Sequence, residues 1–321
     1  MKLPNSDIET SALGIGCAYL AAGSLSGYDD RLIEAAFDNG ARHFDVAPQY
    51  GIGTAECVLG RALKAKRSQV TIATKAGIKR PNVPNYKLRA RAALGPLRKK
   101  LRAIKGPTAQ QRMPGVQRDL DHSPAFILSS LDESLQQLGT DHVDIFALHA
   151  VPESAVTEEL INALQQARTA GKARAIGLAT DRETTKVILN AFPNVFDCVQ
   201  YSWSVLDPKL TPSARDPFLI THRSLNRALI PISSWLKSSP DICAILADKV
   251  QADLSDDRVL AQALLGASLS ANSSGISLVA SRTIERTIAN VKMSQEPETT
   301  LMGARLIEAL SELNTLPKVA K

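Results

Sequence analysis

The chain has 321 residues, of which 44% are hydrophobic, 22% charged and only 4% aromatic. That balance excludes a disordered or fibrous chain and describes a globular protein with an aliphatic core, long enough for one α/β barrel or two ordinary domains. The net charge of +6 favours anionic ligands, and neither the N-terminal residues nor any later stretch reaches the roughly 20 apolar residues of a membrane span, so a cytoplasmic protein with no membrane partner is expected.

Taken in chain order, short β-branched or aliphatic runs alternate with stretches of helical period, the pattern of parallel strands buried on both faces. Strands are predicted at 13–15, 42–45, 70–74, 142–148, 173–178, 198–200, 229–232 and 277–279. Helices are predicted at 29–39, 54–65, 124–138, 158–170, 184–191, 259–271 and 282–292, with a further one at 301–313 that either crosses a barrel mouth or packs outside. Gly40 and Gly171 stand where left-handed helix caps are wanted, each just before a strand. The stretches 207–226 and 233–257 are the least regular. Eight strands suit a single (β/α)8 TIM barrel spanning 1–321, with long loops on the C-terminal face and a C-terminal tail from about 296.

Two further features stand out. The segment 79–118 carries Lys87, Arg89, Arg91, Arg98, Lys99, Lys100, Arg102, Lys105 and Arg112 and several prolines, but no Asp or Glu. Tyr86 is its only aromatic, so base stacking is unsupported; a basic loop over a site mouth is expected, and no nucleic-acid partner. Cys17, Cys57, Cys198 and Cys243 are scattered without a CxxC pair or ligand-like spacing to a histidine. They read as reduced, mostly buried thiols, with neither a disulfide frame nor a metal site.

Four polar residues stand at or just past strand ends: Asp45, Tyr50, Lys75 and His149. In a parallel barrel these ends converge on one face, so an acid, a phenol, an amine and an imidazole meet there as a proton-transfer set. Singly, each has a structural reading as a cap, a packed loop residue, a solvated charge or a core histidine.

The blocks Leu13-Gly14-Ile15-Gly16, Gly40-Ala41-Arg42-His43-Phe44-Asp45-Val46-Ala47-Pro48-Gln49-Tyr50-Gly51, Glu56 with Leu59-Gly60-Arg61-Ala62-Leu63, and Ile72-Ala73-Thr74-Lys75 carry a resemblance. So do Leu138-Gly139-Thr140-Asp141, Leu148-His149 and Gly171-Lys172-Ala173-Arg174-Ala175-Ile176-Gly177. In order and spacing the chain resembles the aldo-keto reductases over nearly its whole length. The resemblance implies a barrel that binds NADPH or NADH without a Gly-rich fingerprint, consistent with the lack of a GxGxxG motif opening a helix, and transfers hydride to and from carbonyl groups without a metal.

The chemistry of the four residues agrees. Hydride arriving at a carbonyl carbon leaves charge on oxygen, and a proton donor there lowers the barrier about 100- to 10,000-fold. Tyr50 is that donor; Lys75 is expected to stabilise its phenolate, Asp45 to offset the burial of Lys75, and His149 to orient the substrate oxygen.

The resemblance also implies a cofactor site. Ser281, Arg282, Arg286 and Asn290 would hold the adenosine end, the two arginines favouring NADPH over NADH, while Gln200 and Thr180 would hold the carboxamide. The chain departs from the family pattern at Ala179, at Ala289 and, as aligned on a seventh strand at 229–232, at Ile232, where relatives place an aromatic that Trp235 replaces only if the register slips. Tyr19 and Trp203 are expected to line the substrate pocket.

The sequence therefore points to an NADPH-dependent oxidoreductase acting on the carbonyl of an aldehyde, ketone or sugar. Two alternatives stand beside it: an NAD-dependent aldose dehydrogenase forming a lactone, suggested by the segment 199–207, and a regulatory subunit that senses cofactor redox state. Oligomeric state leaves no trace in the sequence.

Overall fold

The structure is a computed structural model that describes residues 1–2, 9–20, 28–82, 119–207 and 217–313. Most of the basic segment 79–118, including its clustered lysines and arginines, and the end of the predicted C-terminal tail lie outside the described residues.

Eight strands pair in parallel and in sequence order, and the first closes on the last: β1 (Leu13–Gly16), β2 (His43–Asp45), β3 (Thr71–Ala76), β4 (Val143–His149), β5 (Ala173–Ala179), β6 (Cys198–Ser202), β7 (Phe218–His222) and β8 (Ile276–Val279). Among the described residues ten α-helices accompany them: α1 (Tyr28–Asp38), α2 (Ala55–Leu63), α3 (Pro124–Leu138), α4 (Glu158–Thr169), α5 (Arg182–Ala191), α6 (Ser224–Ser238), α7 (Pro240–Val250), α8 (Asp257–Ala271), α9 (Ile284–Met293) and α10 (Pro297–Ser311). Side-chain caps mark many starts: Ser123, Thr157, Asp181, Asp256 and Thr283 each accept from a backbone N–H of the first turn. None of the described helices is long and apolar enough to cross a membrane.

Alternation along each strand divides the core in two. Phe44, Ile72, Phe146, Leu148, Ile176 and Leu178 face outward to the helices, whereas Ala73, Ile145, Ala175, Cys198, Ile220, Ile276 and Leu278 fill the barrel interior. Fully burying a side chain of this kind contributes about 1.5–3 kcal/mol, so either set slipping by one residue would be costly.

One predicted strand is overturned. Residues 229–232 lie within α6, and the seventh strand is Phe218–His222. Leu-Ile-Pro-Ile reads as a β run, and an internal Pro231 argues against a helix, yet Ala228, Ile232 and Leu236 recur at helical spacing. They bury against α7, α8 and α10 in a satellite core, with Trp235 packed on it, so neither Ile232 nor Trp235 belongs to a strand end. The true β7 was obscured by Thr221 and His222, polar residues that break its apolar run.

The C-terminal helix packs outside, against α8 and α7. Backbones touch at its crossing with α8: a Cβ on Gly266 would lie 1.8 Å from the Thr299 carbonyl oxygen. The thiols also depart in part from expectation: Cys17 and Cys198 are buried, Cys243 is half-buried and Cys57 is exposed.

Candidate active site

The strand register explains why the polar residues meet. Asp45 pairs with Ala73, which points into the barrel, and Lys75 lies two residues further along the same face. Lys75 in turn pairs with Ala147, two before His149. Gly177 pairs with Cys198, two before Gln200. The top layer of the barrel is thus polar and otherwise small: a Cβ on Gly177 would lie 2.6 Å from the Cys198 sulfur and 3.4 Å from the Ala147 Cβ.

Within that layer the Lys75 ammonium donates to both Asp45 oxygens, at 2.7 and 2.8 Å, and to the Val46 carbonyl at 3.1 Å. Gln200 Nε2 donates to Asp45 Oδ2 at 3.1 Å. Lys75 and Asp45 are each 2% exposed. Burial works against the ammonium, but attraction to Asp45 and Tyr50 outweighs it and holds Lys75 above the ordinary lysine range. The adjacent Cys17 thiol is pushed up by burial and by Asp45, so it stays protonated.

Tyr50 opens a tight turn, Tyr50–Gly53, with its ring centroid 5.2 Å from the Lys75 ammonium. Gly51, Ile52 and Gly53 have φ values of 59°, 60° and 88°; for the β-branched Ile52 this left-handed conformation costs about 1–2 kcal/mol. A brace holds the turn. Arg80 donates to the Pro48 and Gly53 carbonyls at 3.3 and 2.8 Å and pairs at 2.5 Å with Glu56, which is wholly buried and accepts from Thr74 on β3 at 2.6 Å. Burial raises the Tyr50 phenol above its ordinary range, and Lys75 opposes this without reversing it. The lowering expected from Lys75 alone is therefore not reached; the tyrosine is held as a phenol, the form that gives a proton.

His149 ends β4 and faces Tyr50 edge-on, with ring centroids 6.5 Å apart and an interplanar angle of 89°. Its carbonyl lies 3.0 Å from His122 Nε2, and its Nδ1 lies 3.1 Å from Gln49 Nε2. The pairing with Gln49 links segments 100 residues apart, which neither segment announces on its own.

The remaining predicted residues fall into two groups. Gln200 joins the cluster through Asp45. Arg282 lies just before the cap of α9, Arg286 in its first turn and Asn290 one turn further along; Thr283 caps that helix by accepting from the Arg286 N–H at 3.3 Å. Both guanidiniums are exposed and, among the described residues, unpaired with any carboxylate; Arg282 lies 4.5 Å from the centroid of the Tyr19 ring. Two unneutralised arginines at a helix N-terminus fit a phosphate. Ser281 and Thr180 are engaged locally: the Ser281 hydroxyl donates to the Thr283 carbonyl at 3.1 Å, and the Thr180 hydroxyl lies 2.6 Å from that of Thr185. Tyr19 is thus stacked beneath Arg282, and Trp203 is 4% exposed with an indole N–H that has no partner among the described residues. The residue that ends β7 is His222, held neutral at about 3 by burial and by nearby Arg223 and Lys75.

Comparison with known proteins agrees with this geometry. A family model described as "Aldo/keto reductase family" matches residues 13–234. A probable aldo-keto reductase 1 of Glycine max is 26% identical over 273 residues, 78% of this chain and 68% of its own length. The D-threo-aldose 1-dehydrogenase of a Pseudomonas species is 30% identical over 177 residues, 53% of this chain and 50% of its own length. In fold, the chain is similar to the holo form of aldo-keto reductase AKR11C1 from Bacillus halodurans, with a TM-score of 0.68, 21% identity and 95% of each chain covered. The chain belongs to the aldo/keto reductase family, a class of NAD(P)H-dependent oxidoreductases.

Proposed function

We propose that this protein reduces the carbonyl group of an aldehyde, ketone or open-chain sugar with NADPH. The observation that carries the reading is the buried Asp45–Lys75 pair beneath a Tyr50 held as a phenol, with His149 facing it. Arg282, Arg286 and the N-terminus of α9 would hold the 2′-phosphate, and Gln200 with Asp45 the nicotinamide end. His222, in place of Ile232, supplies the flat neutral ring at the end of β7. Bound there, the reduced nicotinamide supplies a hydride to the carbonyl carbon.

The residues then do the following. His149 orients the substrate oxygen by hydrogen bonding. Tyr50 gives its proton to that oxygen as negative charge develops, and the Lys75 ammonium stabilises the phenolate left behind until solvent restores the proton. Asp45 fixes the direction of the ammonium.

A second reading, oxidation of an aldose to its lactone with NAD+, draws support from the similarity to the Pseudomonas aldose dehydrogenase. It runs the same steps backwards and needs the phenolate at the start, which burial of Tyr50 disfavours. With β7 ending at His222, the departure at Ile232 no longer bears on the nicotinamide site and lends no support to a purely cofactor-sensing role. The test is turnover: NADPH and NADH against a panel of aldehydes, ketones and sugars, and NAD+ and NADP+ against hexoses and pentoses. NADPH-driven carbonyl reduction supports the first reading; sugar oxidation with NAD+ alone supports the second.

A further inference from the structure

An amide can meet an imidazole nitrogen in two ways. Its NH2 donates to a bare Nδ1, or its carbonyl accepts from a protonated Nδ1, and the two choices place the neutral ring's proton on opposite nitrogens. Gln49 Nε2 lies 3.1 Å from His149 Nδ1. For a histidine that polarises a carbonyl oxygen only one choice is productive, because the ring must donate and not accept.

The place of the ring is set by other contacts. The His149 carbonyl accepts from His122 at 3.0 Å; the next residue, Ala150, is left-handed at φ 52° with its N–H donating to the Ala179 carbonyl at 2.9 Å; and the Tyr50 ring meets the imidazole edge-on. Gln49 thus acts on the proton more than on the position. A neutral amide suits the task. It adds no charge beside the Asp45–Lys75 pair, whereas a carboxylate in its place would draw a proton to Nδ1.

We propose that Gln49 is a positioning residue that donates its amide N–H to Nδ1 and so holds His149 as the Nε2–H tautomer, making the imidazole a hydrogen-bond donor to the substrate oxygen. The proposal rests on the reading of His149 as the group that orients the carbonyl.

The experiment is two-bond proton–nitrogen correlation on 15N-labelled wild type, Gln49→Leu and Gln49→Glu, at a pH of about 8, where neutral imidazoles predominate. Among the five histidines, His149 is assigned by its loss in His149→Asn. The expected result is Nε2–H in the wild type, Nδ1–H in Gln49→Glu and a mixture in Gln49→Leu, with kcat/KM for a carbonyl falling about 10- to 100-fold in both variants while NADPH affinity holds. Either variant suffices if the other fails to fold. A wild type already in the Nδ1–H form, or one tautomer shared by all three proteins, would overturn the proposal. The spectra are read without cofactor or substrate, so absence of turnover in the wild type would sink the reading of function and leave the tautomer result standing.

Discussion

The Lys75 ammonium lies against both oxygens of Asp45, at 2.7 and 2.8 Å, with neither residue more than 2% exposed. Asp45 is the counter-charge that makes a buried lysine tolerable here. Asp45→Asn leaves the ammonium uncompensated and is expected to lower stability by about 3–5 kcal/mol. Asp45→Asn combined with Lys75→Met should recover much of that loss. Urea unfolding of the single and double variants checks this; a double variant less stable than the single one would contradict it.

Under the proposed function, Arg286 is the residue expected to give the preference for NADPH. Replacing it by alanine removes a charge-assisted contact of about 1.5–3 kcal/mol, so the NADPH dissociation constant should rise about 10- to 100-fold while that for NADH stays within about twofold. Titration of tryptophan fluorescence with each cofactor measures both. Equal weakening of the two would remove the 2′-phosphate from this site.

Glu56 has no contact with the reacting groups, yet it joins β3 to the Tyr50 turn through Thr74 and Arg80. Glu56→Gln keeps the shape and removes the buried one of the two carboxylates that Arg80 is paired with, leaving the half-exposed Glu133 at 2.5 Å. It is expected to cost about 1–3 kcal/mol and to lower kcat more than cofactor affinity, because what loosens is the support of Tyr50. Unfolding curves and steady-state kinetics together test this; unchanged kcat with lowered stability would confine Glu56 to a folding role.

His43 lies inside the lower barrel with Nδ1 2.9 Å from the Thr71 hydroxyl and Nε2 without a partner among the described residues. Burial, with Lys75, lowers its pKa from 6.5 to about 3. The folded state therefore holds it neutral while the unfolded chain takes up a proton below about 6.5. Stability is complete above that pH and is lost as pH falls toward 3, by about 1.4 kcal/mol per pH unit from this residue alone. Denaturant midpoints between pH 7 and about 5 should fall more steeply in the wild type than in His43→Gln, which has no such proton to bind; parallel slopes would contradict the assignment.

Much of this was readable in the sequence, and for physical reasons. Asp45, Lys75 and His149 close short apolar runs, and period-2 alternation with parallel register turns that placement into shared direction. The seventh strand was not readable: the apolar quartet at 229–232 fits a strand by composition, and only its burial against α7, α8 and α10 shows it to be helix. His222, the true end of β7, was missed with it. Gln49 and Arg80 were missed for another reason. Each acts through a contact with a distant segment, 100 residues off for Gln49 and 24 for the Arg80–Glu56 pair, and spacing along the chain carries no signal of that kind.

Tyr50→Phe tests the central assignment most directly. The substitution removes one hydroxyl and leaves the turn, the brace and the Asp45–Lys75 pair in place, so NADPH should bind as in the wild type. Consumption of NADPH with the best carbonyl substrate of the panel, followed side by side in the two proteins, is expected to show wild-type turnover and a loss of about 100- to 10,000-fold in kcat/KM for the variant. A variant that binds NADPH and reduces the carbonyl at the wild-type rate would show that Tyr50 is not the proton donor.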